Sequence, residues 1–291
     1  MEPKPEQARG VECDVTAHAR VAVPLGAVAE LRKQPGPPPA PPLPANFLKH
    51  LDEQTVAGLA AVRHAIHDHG LGGTDFTRWA VLGAPRFPGR PQMIPSVQRF
   101  FAEGAWGVSP HMVPHRSLHS LSGTVSQVLK IHGANYGVGG GNSAADEVVF
   151  AALALLERRQ NPGVWVVVTA QEPEGVLDAD GNGPPDKSVR ALALALAPAW
   201  AGWRGLRLRL EVDRAGTAPP SPDYFRLWAM LEEVGAREAS RSVTRPLQGC
   251  GRLTLEWVRD AAAANGRPHY GPGPRPAARA PFPGTPAETR P

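Results

Sequence analysis

The stretch His132–Arg159, HGANYGVGGGNSAADEVVFAALALLERR, sets the reading of the whole chain. Asn135–Val138 reads as the end of a strand, Gly139–Gly141 as a sharp turn, and Ser143–Arg159 as a helix. A strand that passes through glycines into a helix leaves the first backbone N–H groups of that helix without intrahelical acceptors. The helix dipole adds partial positive charge at the same point, and glycines let a ligand come close. Val148–Leu156 (VVFAALALL) is wholly apolar, so this helix is expected to be buried on most sides. Asp146 and Glu147 fall in its first turn, where negative charge suits the dipole, and they read as structural.

The flanking segments alternate between strand and helix patterns. Upstream, Val11–Val23 carries valines in weak alternation, consistent with one or two short strands. Phe47–His69 has Leu48, Leu51, Thr55, Leu59, Val62 and Ile66 three or four apart, the spacing of an amphipathic helix, and Gly70, Gly72 and Gly73 end it. Trp79–Gly83 reads as a buried strand, Ser96–Glu103 as a short helix and Leu118–Ile131 as a longer one. Downstream, Val164–Thr169 (VWVVVT) is a continuous β-branched run and hence a central strand. Ala191–Leu196, Leu206–Val212 and Arg252–Val258 read as strands and Tyr224–Val234 as a helix. Such alternation argues for an α/β layered fold.

Prolines and glycines mark the boundaries. The 291 residues include 33 prolines and 31 glycines, and prolines concentrate in Gln34–Asn46, Gly183–Pro185, Ala218–Pro222 and from Pro268 onward. Pro-rich runs build neither helices nor central strands, so they read as linkers and tails. The expected organisation is a strand region and Pro-rich linker over 1–45, one domain over 46–260, and a disordered tail over 261–291. Met1–Gly10 is expected to be disordered as well.

Composition excludes several classes of function. The formal charge of +4, with a pI near 9.4, comes without a basic stripe or interleaved aromatics, so no nucleic-acid partner is expected. No apolar run approaches the ~20 residues of a membrane helix, and Met1–Gly10 lacks the apolar core of a signal peptide. Cys13 and Cys250, far apart, form no disulfide framework, and a cytoplasmic location fits. No cofactor is implied.

Four chemistries use a glycine turn of this kind. A dinucleotide fingerprint G-x-G-x-x-G begun at Gly137 ends on Asn142 and fails; a phosphate-binding loop needs a lysine that is not there. Gly141-Asn142-Ser143-Ala144-Ala145 comes close to the G-x-S-x-G elbow of serine hydrolases, with Ser143 as nucleophile. That family's histidine follows its serine, and here the next histidine is His269, in the Pro-rich tail. The fourth chemistry is the thiolase-type nucleophile turn. The run Val108-Ser-Pro-His, Pro114, Leu121-Ser-Gly-Thr-Val-Ser, Ile131-His-Gly-Ala-Asn-Tyr resembles the approach to the active site of β-ketoacyl synthases. In that family a helix leads into a G-P-N-Y run, a strand, and a turn with cysteine at the head of a buried helix. Leu51–Gln54, Trp79–Gly83 and Val164–Thr169 resemble further elements in the right order. The resemblance is strongest over 46–169.

The resemblance implies a thiolase-like fold, the N-terminal half of a ketosynthase, with a layered sheet and a buried helix. Counted from Gly133 without gaps, the place of the cysteine falls on Asn142, between Gly141 and Ser143. An amide is not a nucleophile, whereas a thiolate attacks an acyl thioester. The family's catalytic histidines lie in its C-terminal half, and no histidine lies between His132 and His269 here. Members with glutamine in place of cysteine resemble chain-length factors or decarboxylating ketosynthases. The implied role is therefore a cysteine-less partner subunit handling acyl thioesters on an acyl carrier protein, in fatty-acid or polyketide-type biosynthesis. Its partner would be an intact ketosynthase or a second copy, with Val164–Thr169 at or near the seam. An active acyltransferase using Asn142 or Ser143 is the alternative within the family. Asn142 as the helix N-cap is compatible with either.

Gly139, Gly140 and Gly141 are the expected binding backbone. His111, His115 and His119, at i, i+4 and i+8, are expected to line the acyl pocket; Pro114 interrupts the helix that would make them a zinc site, and no metal is expected. Asp178–Gly183 matches the start of a calcium loop, but the twelfth position is Val189 in place of the bidentate glutamate, so a solvated turn is expected. Trp165, Trp200, Trp203, Trp228 and Trp257 are expected to pack in the core or at an interface. A chain shortened to end at Arg267 should keep its melting temperature in differential scanning fluorimetry; a loss of several degrees would contradict the tail assignment.

Overall fold

The computed structural model describes residues 10–37, 42–44, 46–109, 115–174, 186–212, 223–236, 242–247 and 251–258. Their strands are β1 Gly10–Pro24, β2 Ala80–Pro85, β3 Asn135–Gly137, β4 Val164–Glu172, β5 Ser188–Pro198, β6 Gly205–Val212, β7 Ser242–Leu247 and β8 Gly251–Val258. The helices are α1 Val28–Lys33, α2 Glu53–Asp68, α3 Arg90–Glu103, α4 Ser120–Leu129, α5 Ala144–Glu157 and α6 Arg226–Ala236. All eight strands join in one sheet, in the order β3-β2-β4-β5-β1-β6-β8-β7. β2 runs parallel to β3 and β4, and the other pairings are antiparallel.

Each face of the sheet carries helices. Leu82, Val166, Val168, Leu192 and Leu194 face a core built with α5 and α6. Val81, Trp165, Val167, Ala191 and Ala193 face a second core with α2 and α4. The two-sided burial of β4 explains its unbroken apolar sequence, since both alternating sets need cover. α2 starts on Asp52, whose carboxylate accepts from the Thr55 N–H at 2.9 Å, and is closed by Gly70 at φ 66°.

Several expectations need correction. Val11–Val23 is one 15-residue strand, β1, in the interior of the sheet between β5 and β6. The valine alternation is weak because the register slips at Thr16, between Val15 opposite Leu196 and Ala17 opposite Ala195. One extra residue inverts the facing, so Cys13 and Val15 join one core while Ala17, Ala19 and Val21 join the other. A division at 45/46 therefore coincides with no break in the sheet, which begins at Gly10. β4 lies inside the sheet with both edges paired, so Val164–Thr169 cannot form a strand-to-strand seam; the edge strand beyond β2 is β3. Edge strand β7, with Pro246, was not anticipated, and proline is tolerated there because one side needs no ladder bond. α3 starts at Arg90, earlier than Ser96. The 261–291 tail and the Asp178–Gly183 loop lie outside the described residues.

α5 is also less enclosed than its composition predicts. Leu153 is 1% exposed, but Leu155 is only partly buried and Phe150 is 48% exposed. Of the tryptophans, Trp165 packs in the core with Phe76 and Trp79, whereas Trp200 and Trp257 are exposed. Leu153→Ala should cost about 2–5 kcal/mol in urea unfolding, and Leu155→Ala distinctly less, because only the first leaves a closed cavity.

His18 on β1 sits against His69 at the end of α2, ring centroids 4.9 Å apart, and its backbone carbonyl is 3.1 Å from the His69 ring Nε2. Burial, with His69 and Arg20 adding repulsion against Asp68, pushes the His18 pKa down to about 4. Between that value and the ordinary 6.5 the unfolded chain takes up a proton that the folded chain refuses. This contribution is absent above about pH 6.5 and destabilises as pH falls. At pH 5 it should reach about 1–2 kcal/mol. Comparing unfolding midpoints at pH 7.5 and 5 in the parent and in His18→Gln measures it; an unchanged pH dependence in the variant would refute the assignment.

Candidate functional site

Parallel strands β2, β3 and β4 end on the same side, the usual place for a site in such sheets. Three close approaches shape the turn that follows β3. A Cβ on Gly137 would stand 2.3 Å from the Leu118 carbonyl oxygen, so only glycine fits. The Val138 N–H donates to Gly83 O at 2.8 Å, and the Phe87 N–H donates to Gly140 O at 2.8 Å, binding the turn to the loop after β2. Gly139 has φ 71° and Gly140 φ 104°, conformations that disfavour side chains. Gly141 is different: a Cβ there would meet nothing within 4 Å.

Asn142 is exposed at the head of α5, and the N-cap is Ser143, one residue later than the Asn142 cap anticipated. The Ser143 hydroxyl donates to Glu147 Oε1 at 2.5 Å, and Ser143 O accepts from the N–H groups of Asp146 and Glu147. Ser143 is thus engaged with a carboxylate one turn on, in the manner of a helix-terminus contact. Asp146 is turned inward to Arg226, 3.4 Å away, so it ties α5 to α6 as well as complementing the dipole. Beneath this point lies a cavity of about 10 Å³ bordered by Ala145, Asp146, Val149, Tyr224 and Phe225. It holds at most one water.

The histidines are dispersed. His111 lies outside the described residues. His119 precedes α4, exposed, with its Nδ1 3.3 Å from the Ser122 hydroxyl. His115 sits 6.0 Å, ring to ring, from His50. Neighbouring Leu118 does pack on the glycine turn. Among the described residues no group of three or more His, Cys, Asp or Glu is placed to hold a metal ion.

The structure adds a buried polar network that sequence reading missed. Gln54, on the apolar face of α2, donates to Arg86 O at 2.9 Å and accepts from the Thr169 hydroxyl at 3.1 Å. The Arg86 N–H donates to Thr169 O, and its guanidinium donates to Gln171 O at 3.1 Å. That guanidinium lies 5.1 Å from the centre of the Tyr224 ring, whose hydroxyl donates to Ala84 O at 2.7 Å. Burial pushes the Tyr224 hydroxyl pKa upward, which keeps it a donor. The arrangement fixes the end of β2, against which the glycine turn is bonded. A lone glutamine inside an apolar helix face and an arginine ending a buried strand were the available signals.

Gly139→Ala should destabilise the chain by about 1–3 kcal/mol, because it adds left-handed strain and a Cβ 2.5 Å from that of Ala144. Gly141→Ala should unfold within about 0.5 kcal/mol of the parent. Equal losses in chemical denaturation would contradict this geometry.

The sequence matches no protein-family model and no curated protein. Solved structures do match. The ishigamide ketosynthase/chain length factor is similar over 86% of this chain and 100% of its own, with TM-score 0.56 and 13% identity. The ketosynthase ApeO in complex with its chain length factor ApeC, from Xenorhabdus doucetiae, is similar over 84% and 99%, with TM-score 0.52 and 15% identity. The complex of the type II acyl-carrier protein AntF with its ketosynthase AntDE matches 66% of this chain, which spans only 63% of that one, at TM-score 0.46 and 14% identity. The first two matches extend well beyond 46–169, where the sequence resemblance was strongest. This chain has the thiolase-type α/β fold of the ketosynthase and chain-length-factor structures.

Proposed function

We propose that this chain is a ketosynthase-like subunit without a nucleophile of its own, in the manner of a chain-length factor. It would work beside an intact ketosynthase and handle acyl thioesters on an acyl carrier protein, in polyketide or fatty-acid type biosynthesis. The observation that carries the reading is the turn between β3 and α5. In a thiolase-type fold, Asn142 stands exposed at the head of a helix whose counterpart in the resembled family bears cysteine. The Asn142 amide can donate toward a thioester carbonyl near the helix start but cannot attack it. The two solved complexes that pair a ketosynthase with a chain length factor add weight. No helix among the described residues is long and apolar enough to cross a membrane.

The test is chemical. An Asn142→Cys thiol, at a helix N-terminus, should have a lowered pKa. It should react with iodoacetamide and acyl thioesters faster than the native Cys13 and Cys250; the Cys13 thiol is buried and its pKa pushed far upward. Ser143→Cys, already engaged toward Glu147 as serine, should react more slowly than Asn142→Cys. A hydrolase would instead show Ser143 labelled by a fluorophosphonate in the unmodified protein. Peptide mass mapping separates these outcomes, and an Asn142→Cys thiol no more reactive than Cys250 would sink the proposal.

A further inference from the structure

α2 buries a carboxamide where packing calls for a hydrocarbon. Gln54 is 4% exposed, just ahead of the apolar run Val56–Val62. A leucine there would avoid the desolvation of a polar group. Both polar ends of Gln54 are used: Nε2 donates to Arg86 O at 2.9 Å, and Oε1 accepts from the Thr169 hydroxyl at 3.1 Å. One turn later stands Gly58, where a Cβ would lie 2.5 Å from Leu121 Cδ1 and 3.1 Å from Thr169 Cγ2. Glycine at that point lets α2 press onto β4 closely enough for Gln54 to span from Thr169 to the loop after β2.

That loop is what holds the turn. The Phe87 N–H donates to Gly140 O and the Val138 N–H to Gly83 O, both at 2.8 Å, so the glycine turn is bonded to β2 at two points. Gly140 stands two residues before Asn142 and three before Ser143, the N-cap of α5. α2 belongs to the core on one face of the sheet and α5 to the core on the other. A chain of directed bonds therefore crosses the sheet, from Gln54 to Arg86 O and on through the Phe87 N–H to Gly140 O. Arg86 has little freedom to yield, with its N–H on Thr169 O and its guanidinium on Gln171 O and over the Tyr224 ring.

We infer that Gln54 is a positioning residue for the Asn142 turn, setting from the far face of the sheet where the start of α5 lies. Its consequence for a bound thioester rests on the role proposed above; its hold on the turn does not. The task needs one donor and one acceptor on a side chain of this length. A glutamate has the same shape but, ionised, only accepts, and it sets negative charge against Arg86 O. Protonated, it regains a donor. Burial raises a carboxyl pKa, so the Gln54→Glu chain should pass between these two states within an accessible pH range. A residue that merely filled space would show no such dependence.

The probe is the full chain carrying Asn142→Cys, with and without a second substitution. Gln54→Glu should slow iodoacetamide alkylation of the turn thiol about fivefold at pH 7.5, because the helix-start field that lowers its pKa is lost. The ratio to Asn142→Cys alone should return toward one as pH falls to 5.5, whereas Gln54→Leu should stay slow at every pH. Thr169→Val should slow the thiol less than Gln54→Glu does, and Thr169→Ser should restore it. In chains with the native Asn142, exchange of the Phe87 and Val138 amide hydrogens should quicken about tenfold in Gln54→Glu at pH 7.5, as local opening becomes easier. Exchange and alkylation unchanged in both Gln54→Glu and Thr169→Val would overturn the inference and leave the Asn142 reading standing. Losses equal at all pH values in Gln54→Glu and Gln54→Leu would make Gln54 a packing residue and overturn it as well. A turn thiol no more reactive than Cys250, with exchange still governed by Gln54 and Thr169, would remove the Asn142 reading and keep the positioning role. If Gln54→Glu does not fold, the two Thr169 variants decide the matter.

Discussion

The rest of the molecule depends on β4 being buried on both faces. Val164, Val166 and Val168 contact one core, and Trp165 and Val167 the other. A strand with no polar face must have helices above and below it. That requirement places α5 on one side and α2 on the other, and it aligns β2 in parallel beside β4. The C-terminal ends of β2, β3 and β4 then converge, so the glycine turn, the Arg86 loop and the end of β4 become neighbours although they are far apart in sequence.

Convergence alone would not hold a turn in one conformation. Apolar packing is non-directional, whereas the bonds among Gln54, Arg86 and Thr169 and the Tyr224 hydroxyl on Ala84 O have fixed lengths and angles. A buried network of this kind is costly when half made and specific when complete. Here it ties α2, β2, β4 and the segment before α6 to one strand end. The Arg86 Nε is buried without a partner, the one flaw in the set. The Phe87 N–H then passes that rigidity to Gly140.

The same molecule leaves other parts conspicuously uncovered. α3 lies outside both cores, and Phe150 opens the outer side of α5. An isolated helix of 14 residues is marginal in water, so an apolar face left bare on such a helix is a demand for cover. The polar network is anchored at Arg86, at the end of β2, and the bare helix leaves from Arg90 just after it.

By itself, the sequence determined the elements whose physics is local. Val164–Thr169 announced a central strand by continuous β-branching, Asn135–Ser143 a strand–turn–helix by its glycines, and Phe47–His69 most of α2 by period. The order of those elements sufficed for a thiolase-type resemblance. Pairing partners were not legible, because they are set by contacts between distant residues. Nothing in Val11–Val23 tells that β1 belongs between β5 and β6, and the slip at Thr16 hides its alternation. Nor could an apolar helix sequence say which of its sides meets the sheet, so Leu155 and Phe150 looked as buried as Leu153. Tertiary structure decided which edges are open, which polar groups meet, and that Ser143 caps α5 while Asn142 stays exposed. Local propensity is encoded residue by residue, whereas pairing and exposure are settled only when the whole sheet has assembled.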